Sequence, residues 1–138
     1  MTQHAEGTFE VAAFTPVEVT PAVVVETAMP AGVATMEKRY RGEVEGTSAT
    51  LFTGAQAADG AGTYVALESF AGALSGRAGA FTFVHAASTS GSDRFGELFA
   101  IVPGSGSGDL TGIAGSGGMA VDGDGTHRIW FDYDLPAR

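Results

Sequence analysis

Hydrophobic and polar residues alternate with a period of two along most of the chain, a pattern that indicates β-strands. The clearest segments are Thr63 to Leu74, Arg77 to Ala87 and Thr126 to Leu135, and no stretch of ten residues has helical periodicity. Less regular segments of the same kind are Thr8 to Phe14, Ala34 to Glu45, Thr47 to Gly54 and Arg94 to Val102, with an edge or bent strand at Val17 to Thr20 between two prolines.

Glycine marks the connections between these segments. Ser75-Gly76 predicts a hairpin, Asp122 to Gly125 predicts a second one, and Gly104 to Gly118 is a glycine-rich bend. Glycines within predicted strands, such as Gly79 and Gly96, permit the sharp coiling that closure of a small barrel requires. We therefore predict an all-β fold, an eight-stranded antiparallel β-barrel that forms a single domain over residues 1–138.

Composition and charge restrict the possible binding partners of the protein more than they restrict its possible functions. The chain has 138 residues, 0 cysteines and a net charge of -9, which excludes disulfides and makes nucleic acid and anionic membranes unfavourable partners. The N-terminus has no basic region followed by an apolar run, and no stretch approaches the roughly 20 apolar residues of a membrane helix. We expect a cytoplasmic protein with neither nucleic acid nor membrane as its partner.

Two long motifs resemble a family of uncharacterised bacterial domains. One is the segment from Tyr64 to His85, and the other is Val102 to Gly115, followed by a late histidine and Tyr133-Asp134-Leu135. The family has no known function, and its members are similar in architecture to allene oxide cyclase, an eight-stranded barrel with a hydrophobic cavity. The resemblance implies a barrel and a cavity, but the site motifs of the plant cyclase do not map onto this chain.

The strongest candidate for a catalytic pair is Glu68 with His85. If Ser75-Gly76 is the turn, the two residues lie on neighbouring antiparallel strands among aromatic side chains, where proton affinities shift and acid–base catalysis becomes possible. Alternatively, they form a structural hydrogen bond in a packed barrel, or point outward after a bulge. We assign the catalytic role to Glu68, His85 and Tyr64, and ligand binding to Tyr40, Phe70, Phe81, Phe83, Phe131 and Lys38.

Several other features have simple structural explanations. Gly104 to Gly108 lacks the lysine of a phosphate loop, and Asp122 to Gly125 lacks the later ligands of a calcium loop. No two of the three histidines have a metal-ligand spacing, so we expect no metal and no cofactor. Lys38, Arg39 and Arg41 form a basic cluster that would bind a ligand carboxylate or, more often, pair with acidic neighbours on the surface.

These observations leave three functional hypotheses. The barrel would bind a small hydrophobic molecule and, as a cyclase or isomerase, act on a polyene or epoxide-like substrate. Alternatively, it would be a non-catalytic carrier or sensor of an apolar molecule, or a filled structural barrel. Trp130 and Tyr133 point to opposite faces of the last strand, and an exposed tryptophan would favour a homo-oligomer.

Overall fold

The structure is a computed structural model that describes residues 1–137, and within them it contains nine strands and no helix. The strands are β1 (Gln3–Val17), β2 (Ala31–Gly42), β3 (Val44–Gln56), β4 (Gly62–Leu74), β5 (Arg77–Thr89), β6 (Phe95–Ile101), β7 (Ser107–Gly108), β8 (Ala114–Val121) and β9 (His127–Asp134). In this part of the chain no helix is long and apolar enough to cross a membrane.

The nine strands form one antiparallel sheet that closes on itself. Its order is β4-β3-β2-β1-β9-β8-β6-β5-β7, and β4 also pairs with β5. Eight strands therefore complete a ring, while the two-residue β7 pairs with β5 alone among the described residues. The predicted antiparallel barrel is confirmed, with β7 as an addition and β8 as a wall strand that the sequence pattern did not single out.

Some strand boundaries differ from those predicted, for reasons visible in the backbone. Val17 is the last residue of β1, and the segment from Glu18 to Thr20 is exposed and forms no strand. The predicted strand from Ala34 to Glu45 is divided because Gly42, at φ 109°, turns the chain from β2 into β3. The predicted hairpin at Ser75-Gly76 is confirmed, since both residues adopt positive φ between β4 and β5.

Aromatic side chains fill one end of the barrel. Phe131 on β9 packs edge-on against Phe81 and Phe83 on β5, with ring centroids 5.2 and 5.1 Å apart. Leu110 and Ile113, from the loop after β7, are buried in the same cluster. This end of the interior is therefore a packed hydrophobic core.

The opposite end of the barrel has an incomplete wall. The β1–β9 pairing stops at Phe9 and His127, whereas β1 continues to pair with β2 as far as Val17. Beyond Phe9, β1 therefore has no β9 residue beside it. The pairing of β1 with β2 also shifts between Val11 and Ala13, so this half of β1 departs from the regular barrel geometry. The interior opens at this end.

Candidate functional site

A layer of polar side chains crosses the interior between the packed end and the open end. Its inward-facing members, all buried, come from four consecutive strands: Lys38 and Tyr40 on β2, Ser48 and Thr50 on β3, Glu68 on β4 and His85 on β5. The hydrogen-bond register brings them together, because Lys38 lies opposite Ser48 and Thr50 lies opposite Glu68. Alternation along each strand places all of these side chains on the inner face.

Glu68 is the centre of this layer, with a side chain that is 0% exposed. Its Oε1 accepts hydrogen bonds from Lys38 Nζ at 3.0 Å and from His85 Nε2 at 2.9 Å. Its Oε2 accepts one from the Ser48 hydroxyl at 2.5 Å and one from the Tyr40 hydroxyl. Four donors thus surround a carboxylate that would otherwise be costly to bury.

These donors keep Glu68 ionised. Burial by itself would raise its pKa, but the His85 hydrogen bond, the Lys38 charge and the Ser48 and Tyr40 hydroxyls outweigh burial and lower the pKa to about 2. Conversely, burial and the negative charge of Glu68 raise the pKa of Tyr40 well above its usual value. At neutral pH the layer therefore contains a carboxylate beside a neutral phenol.

His85 continues the hydrogen-bonded chain toward the open end. A carboxylate only accepts hydrogen bonds, so His85 Nε2 carries the proton that it shares with Glu68. In the neutral ring, Nδ1 then accepts a hydrogen bond from the Tyr64 hydroxyl at 2.9 Å. The Tyr64 oxygen in turn accepts one from Arg94 Nη2 at 3.0 Å. The result is a continuous chain from Glu68 through His85 to Tyr64 and Arg94.

Above this layer lies an apolar cavity of about 240 Å³. Its walls include aromatic, methionine and valine side chains, and its polar lining is Lys38, Thr50, Tyr64, His85, Arg94 and His127. Phe52 stacks on Tyr64, with ring centroids 5.4 Å apart and planes 9° from parallel. Glu68 does not line the cavity, but it is hydrogen-bonded to Lys38 and His85, which do.

The structure brings four of the sequence-predicted site residues together: Glu68, His85, Tyr64 and Lys38 form one hydrogen-bonded cluster at the cavity. Tyr40 belongs to the cluster through Glu68 but does not line the cavity. The four predicted ligand-binding phenylalanines lie instead in the buried core cluster, outside the cavity lining: Phe70, Phe81, Phe83 and Phe131.

Sequence reasoning missed several residues that line the cavity, notably Thr50, Phe52 and Arg94. The alternation along β3 contained a signal for Thr50 and Phe52, because both share the parity of Ser48. Arg94 was predicted as the first residue of a strand, but β6 begins only at Phe95, so alternation does not fix the direction of the Arg94 side chain. In the basic cluster, Lys38 is buried while its neighbour Arg39 is exposed.

The remaining histidines do not form a metal site in the described part of the chain. Within residues 1–137, no group of three or more His, Cys, Asp or Glu side chains is arranged to hold a metal ion. His4 lies on the surface and is hydrogen-bonded to Asp132 and Glu6, both of which raise its pKa. On β9, Tyr133 is buried and Trp130 is half-buried on the other face.

Comparison with known proteins identifies relatives but no activity. Residues 5–133 match the family described as "Protein of unknown function (DUF3224)". The crystal structure of a DUF3224 protein of unknown function from Shewanella oneidensis MR-1 superimposes with a TM-score of 0.84 at 28% identity, covering 99% of this chain and 100% of that one. No curated protein matches the chain.

Proposed function

The chain belongs to the DUF3224 family, whose function is unknown, and we propose that its barrel binds a small apolar molecule and isomerises it by proton transfer. The single observation that supports this proposal most strongly is the position of Tyr64. Tyr64 lines the apolar cavity, and its hydroxyl is hydrogen-bonded to His85, which is in turn hydrogen-bonded to the buried Glu68. Such a chain is the arrangement that makes a weak acid into a base at neutral pH.

The proton transfer follows from the roles of the three residues. The Tyr64 oxygen removes a proton from a carbon of the ligand while its own proton moves to His85 Nδ1. The electron pair of the broken C–H bond enters a new double bond of the ligand, and the proton then returns through Tyr64 to a different carbon. Atoms and electrons balance within one molecule, as an isomerisation or cyclisation of a polyene or epoxide-like substrate requires.

Glu68 and Arg94 support this transfer from opposite ends. Glu68 fixes the His85 tautomer and stabilises the imidazolium that forms when the Tyr64 proton arrives, since the two side chains are 2.9 Å apart in a buried site. Arg94 Nη2 donates to the Tyr64 oxygen and its guanidinium lies 5.6 Å from the Tyr64 ring centre. The guanidinium therefore stabilises negative charge on that oxygen during the transfer. Glu68 is a positioning residue in this scheme.

The volume and lining of the cavity set the size of the substrate. About 240 Å³ corresponds to roughly eight water molecules at about 30 Å³ each, which lies just below the usual range for small-ligand sites. The walls are mostly apolar, with Phe9, Phe52, Met36 and Met119 among them. A compact hydrocarbon body fits this space, and a longer tail would extend through the open end.

A carrier without catalytic activity is the second candidate function. The observation that favours it is the saturation of Glu68, whose two oxygens already accept four hydrogen bonds. In a carrier, the polar layer would form a rigid lower wall of the cavity, here called the cavity floor. Tyr64 would then contact the ligand without exchanging a proton with it. The two functions differ in whether a C–H bond breaks.

Native mass spectrometry of protein purified from its own host identifies the molecule. We expect an adduct that disappears when the protein is denatured. The bound molecule is then removed, and the free protein is incubated with the purified molecule in D₂O. The isomerase gives a rearranged product with deuterium on carbon, whereas the carrier returns the molecule unchanged.

A pair of tyrosine variants tests the assigned role of Tyr64. Tyr64→Phe should bind the molecule and fail to incorporate deuterium, because the ring remains and the hydroxyl is lost. Tyr133→Phe is the matched control, since the Tyr133 hydroxyl is buried and has no hydrogen-bond partner within residues 1–137. Deuterium incorporation by Tyr64→Phe at the unmodified rate would contradict the proposed mechanism.

Cytoplasmic location and homo-oligomerisation stay predictions from the sequence. An outward apolar patch supports self-association: Leu51, Val65 and Leu67 are exposed on adjoining strands β3 and β4. Light scattering at several protein concentrations would measure the assembly.

A further inference from the structure

Thr50 is a cavity-lining residue whose buried hydroxyl has no hydrogen-bond partner within residues 1–137. The residue is only 2% exposed, and within residues 1–137 its Oγ1 has neither a hydrogen-bond donor nor an acceptor. Buried polar atoms are nearly always paired, and an unpaired one in a native structure calls for a specific explanation. Because Thr50 lines the same cavity as Tyr64 and His85, a polar atom of the ligand is the natural partner.

Lys38 also retains unused donors at the cavity floor. An ammonium group has three N–H donors, and among the described residues Lys38 Nζ donates only to Glu68. The same nitrogen lies 4.6 Å from the centre of the Phe9 ring. This cation–π contact is not a hydrogen bond to an acceptor atom, so the remaining N–H groups are still available to a ligand. Lys38 lies opposite Ser48, so Thr50 is its diagonal neighbour across the β2–β3 ladder. Two donors of different strands therefore line the same part of the cavity.

The charge balance of the floor favours a neutral ligand group. The Lys38 ammonium is 4% exposed and the Glu68 carboxylate 0% exposed, and they already neutralise each other at 3.0 Å. A ligand carboxylate at Lys38 would bury a second negative charge beside Glu68, which is unfavourable. Each nitrogen of His85 is already hydrogen-bonded, one to Glu68 and one to Tyr64. The unused groups are the N–H donors of Lys38 and the hydroxyl of Thr50, and both can donate to one uncharged acceptor.

We propose that Lys38 and Thr50 form a subsite for a neutral carbonyl oxygen, so that the ligand is a small apolar ketone or enone. This inference rests on the proposed function and narrows its substrates to those that carry a carbonyl group. The two lone pairs of a carbonyl oxygen match one N–H donor of Lys38 and the O–H of Thr50. A carbonyl at this position also suits the chemistry of Tyr64. Unlike a bound carboxylate, the ketone is neutral when it binds, and negative charge builds on its oxygen only transiently, while a proton is removed from the adjacent carbon. The N–H donor of Lys38 and the hydroxyl of Thr50 stabilise that transient charge.

Three isosteric probes distinguish the possible ligand classes: acetophenone is the neutral ketone, benzoate the carboxylate and cumene the hydrocarbon. Binding is followed by NMR of the methionine methyl groups at pH 7. Met36 and Met119 line the cavity, and Met1 and Met29 lie outside its lining and serve as internal references. We expect acetophenone to shift Met36 and Met119 with a lower dissociation constant than benzoate.

The variant Thr50→Val removes the hydroxyl and keeps the shape of the side chain. It should weaken acetophenone binding about threefold to tenfold, the effect of one hydrogen bond, and leave cumene binding unchanged. Its melting temperature should not fall, because the Thr50 hydroxyl makes no hydrogen bond within residues 1–137 that could be lost. Thr47→Val is the matched control on the same strand, since Thr47 is exposed and should affect neither probe.

Different results would overturn different parts of the account. If cumene binds and Thr50→Val leaves acetophenone affinity unchanged, the carbonyl subsite is wrong and the apolar cavity survives. Tighter binding of benzoate than of acetophenone would also refute the neutral subsite, and would point instead to Arg94, whose side chain is 39% exposed. If none of the probes shifts Met36 or Met119, the proposed ligand-binding function fails together with the subsite.

Discussion

Replacement of Glu68 by glutamine tests whether the polar layer is held together by charge. The variant Glu68→Gln keeps the size of the side chain and removes its negative charge. It leaves the Lys38 ammonium buried, at 4% exposure, without its counter-ion. It also offers an amide in place of a carboxylate to the hydroxyls of Ser48 and Tyr40 and to His85.

Two independent arguments give the same order of magnitude for the loss of stability. Removal of one member of a buried ion pair typically costs about 3–5 kcal/mol. The pKa of Glu68 falls from its usual 4.5 to about 2. Such a difference corresponds to about 3 kcal/mol of folding free energy above pH 4.5. We therefore expect Glu68→Gln to lose about 3 kcal/mol at pH 7.

The lowered pKa of Glu68 determines how the stability difference between the two proteins changes with pH. Because folding lowers the pKa of Glu68, its contribution is fully present above pH 4.5 and is lost as the pH falls toward 2. The difference in unfolding free energy between the unmodified protein and Glu68→Gln should therefore be constant near neutral pH. It should shrink progressively between pH 4.5 and 2, where the native carboxyl group itself becomes protonated.

Urea denaturation monitored by tryptophan fluorescence measures this difference, since the chain has one tryptophan. Glu37→Gln is the matched control, because Glu37 is the exposed neighbour of Lys38 on β2. Its midpoint should stay close to that of the unmodified protein. A loss below about 1 kcal/mol in Glu68→Gln at pH 7 would match an exposed ion pair and refute the reasoning. A difference independent of pH down to 2 would do the same.

Three further substitutions, the last with a matched control, test the polar layer, the aromatic core and the turn after β2. Tyr40→Phe should cost about 1.5–3 kcal/mol and raise the pKa of Glu68, because a hydroxyl donor to a buried carboxylate is lost; an unchanged acid-unfolding midpoint would contradict this. Phe131→Ala should cost about 3–5 kcal/mol by urea denaturation, and a loss below about 1 kcal/mol would mean that the aromatic end is loosely packed. Gly42→Ala should cost about 1–3 kcal/mol because φ is 109° there, whereas Gly32→Ala meets no atom within 4 Å and should be neutral; equal melting temperatures would refute the strain.

Local pattern was sufficient to predict the pairing at the centre of the site. The turn at Ser75-Gly76 fixes the register of β4 and β5, so alternation places Glu68 and His85 on the same inner face. The barrel class followed from the same alternation together with the glycine-rich corners. These features depend on neighbours in the chain, which is why they can be read from the sequence.

Position along the barrel axis could not be predicted in this way. Phe52 lines the cavity and Phe81 lies in the packed core, yet both occupy inward positions of alternating strands. What separates them is the end of the β1–β9 pairing at Phe9, and that register joins residues more than a hundred positions apart. Arg94 was missed as a site residue because it lies in the loop directly before β6, where strand alternation does not direct a side chain toward Tyr64.

The most direct test of the central claim is a crystal structure of the protein soaked with cumene. The account predicts density for one cumene molecule inside the barrel, against Phe9, Phe52 and Met119 and above the His85 ring. An interior in which these side chains have collapsed into the space, with cumene absent or bound only on the outer wall, would contradict it.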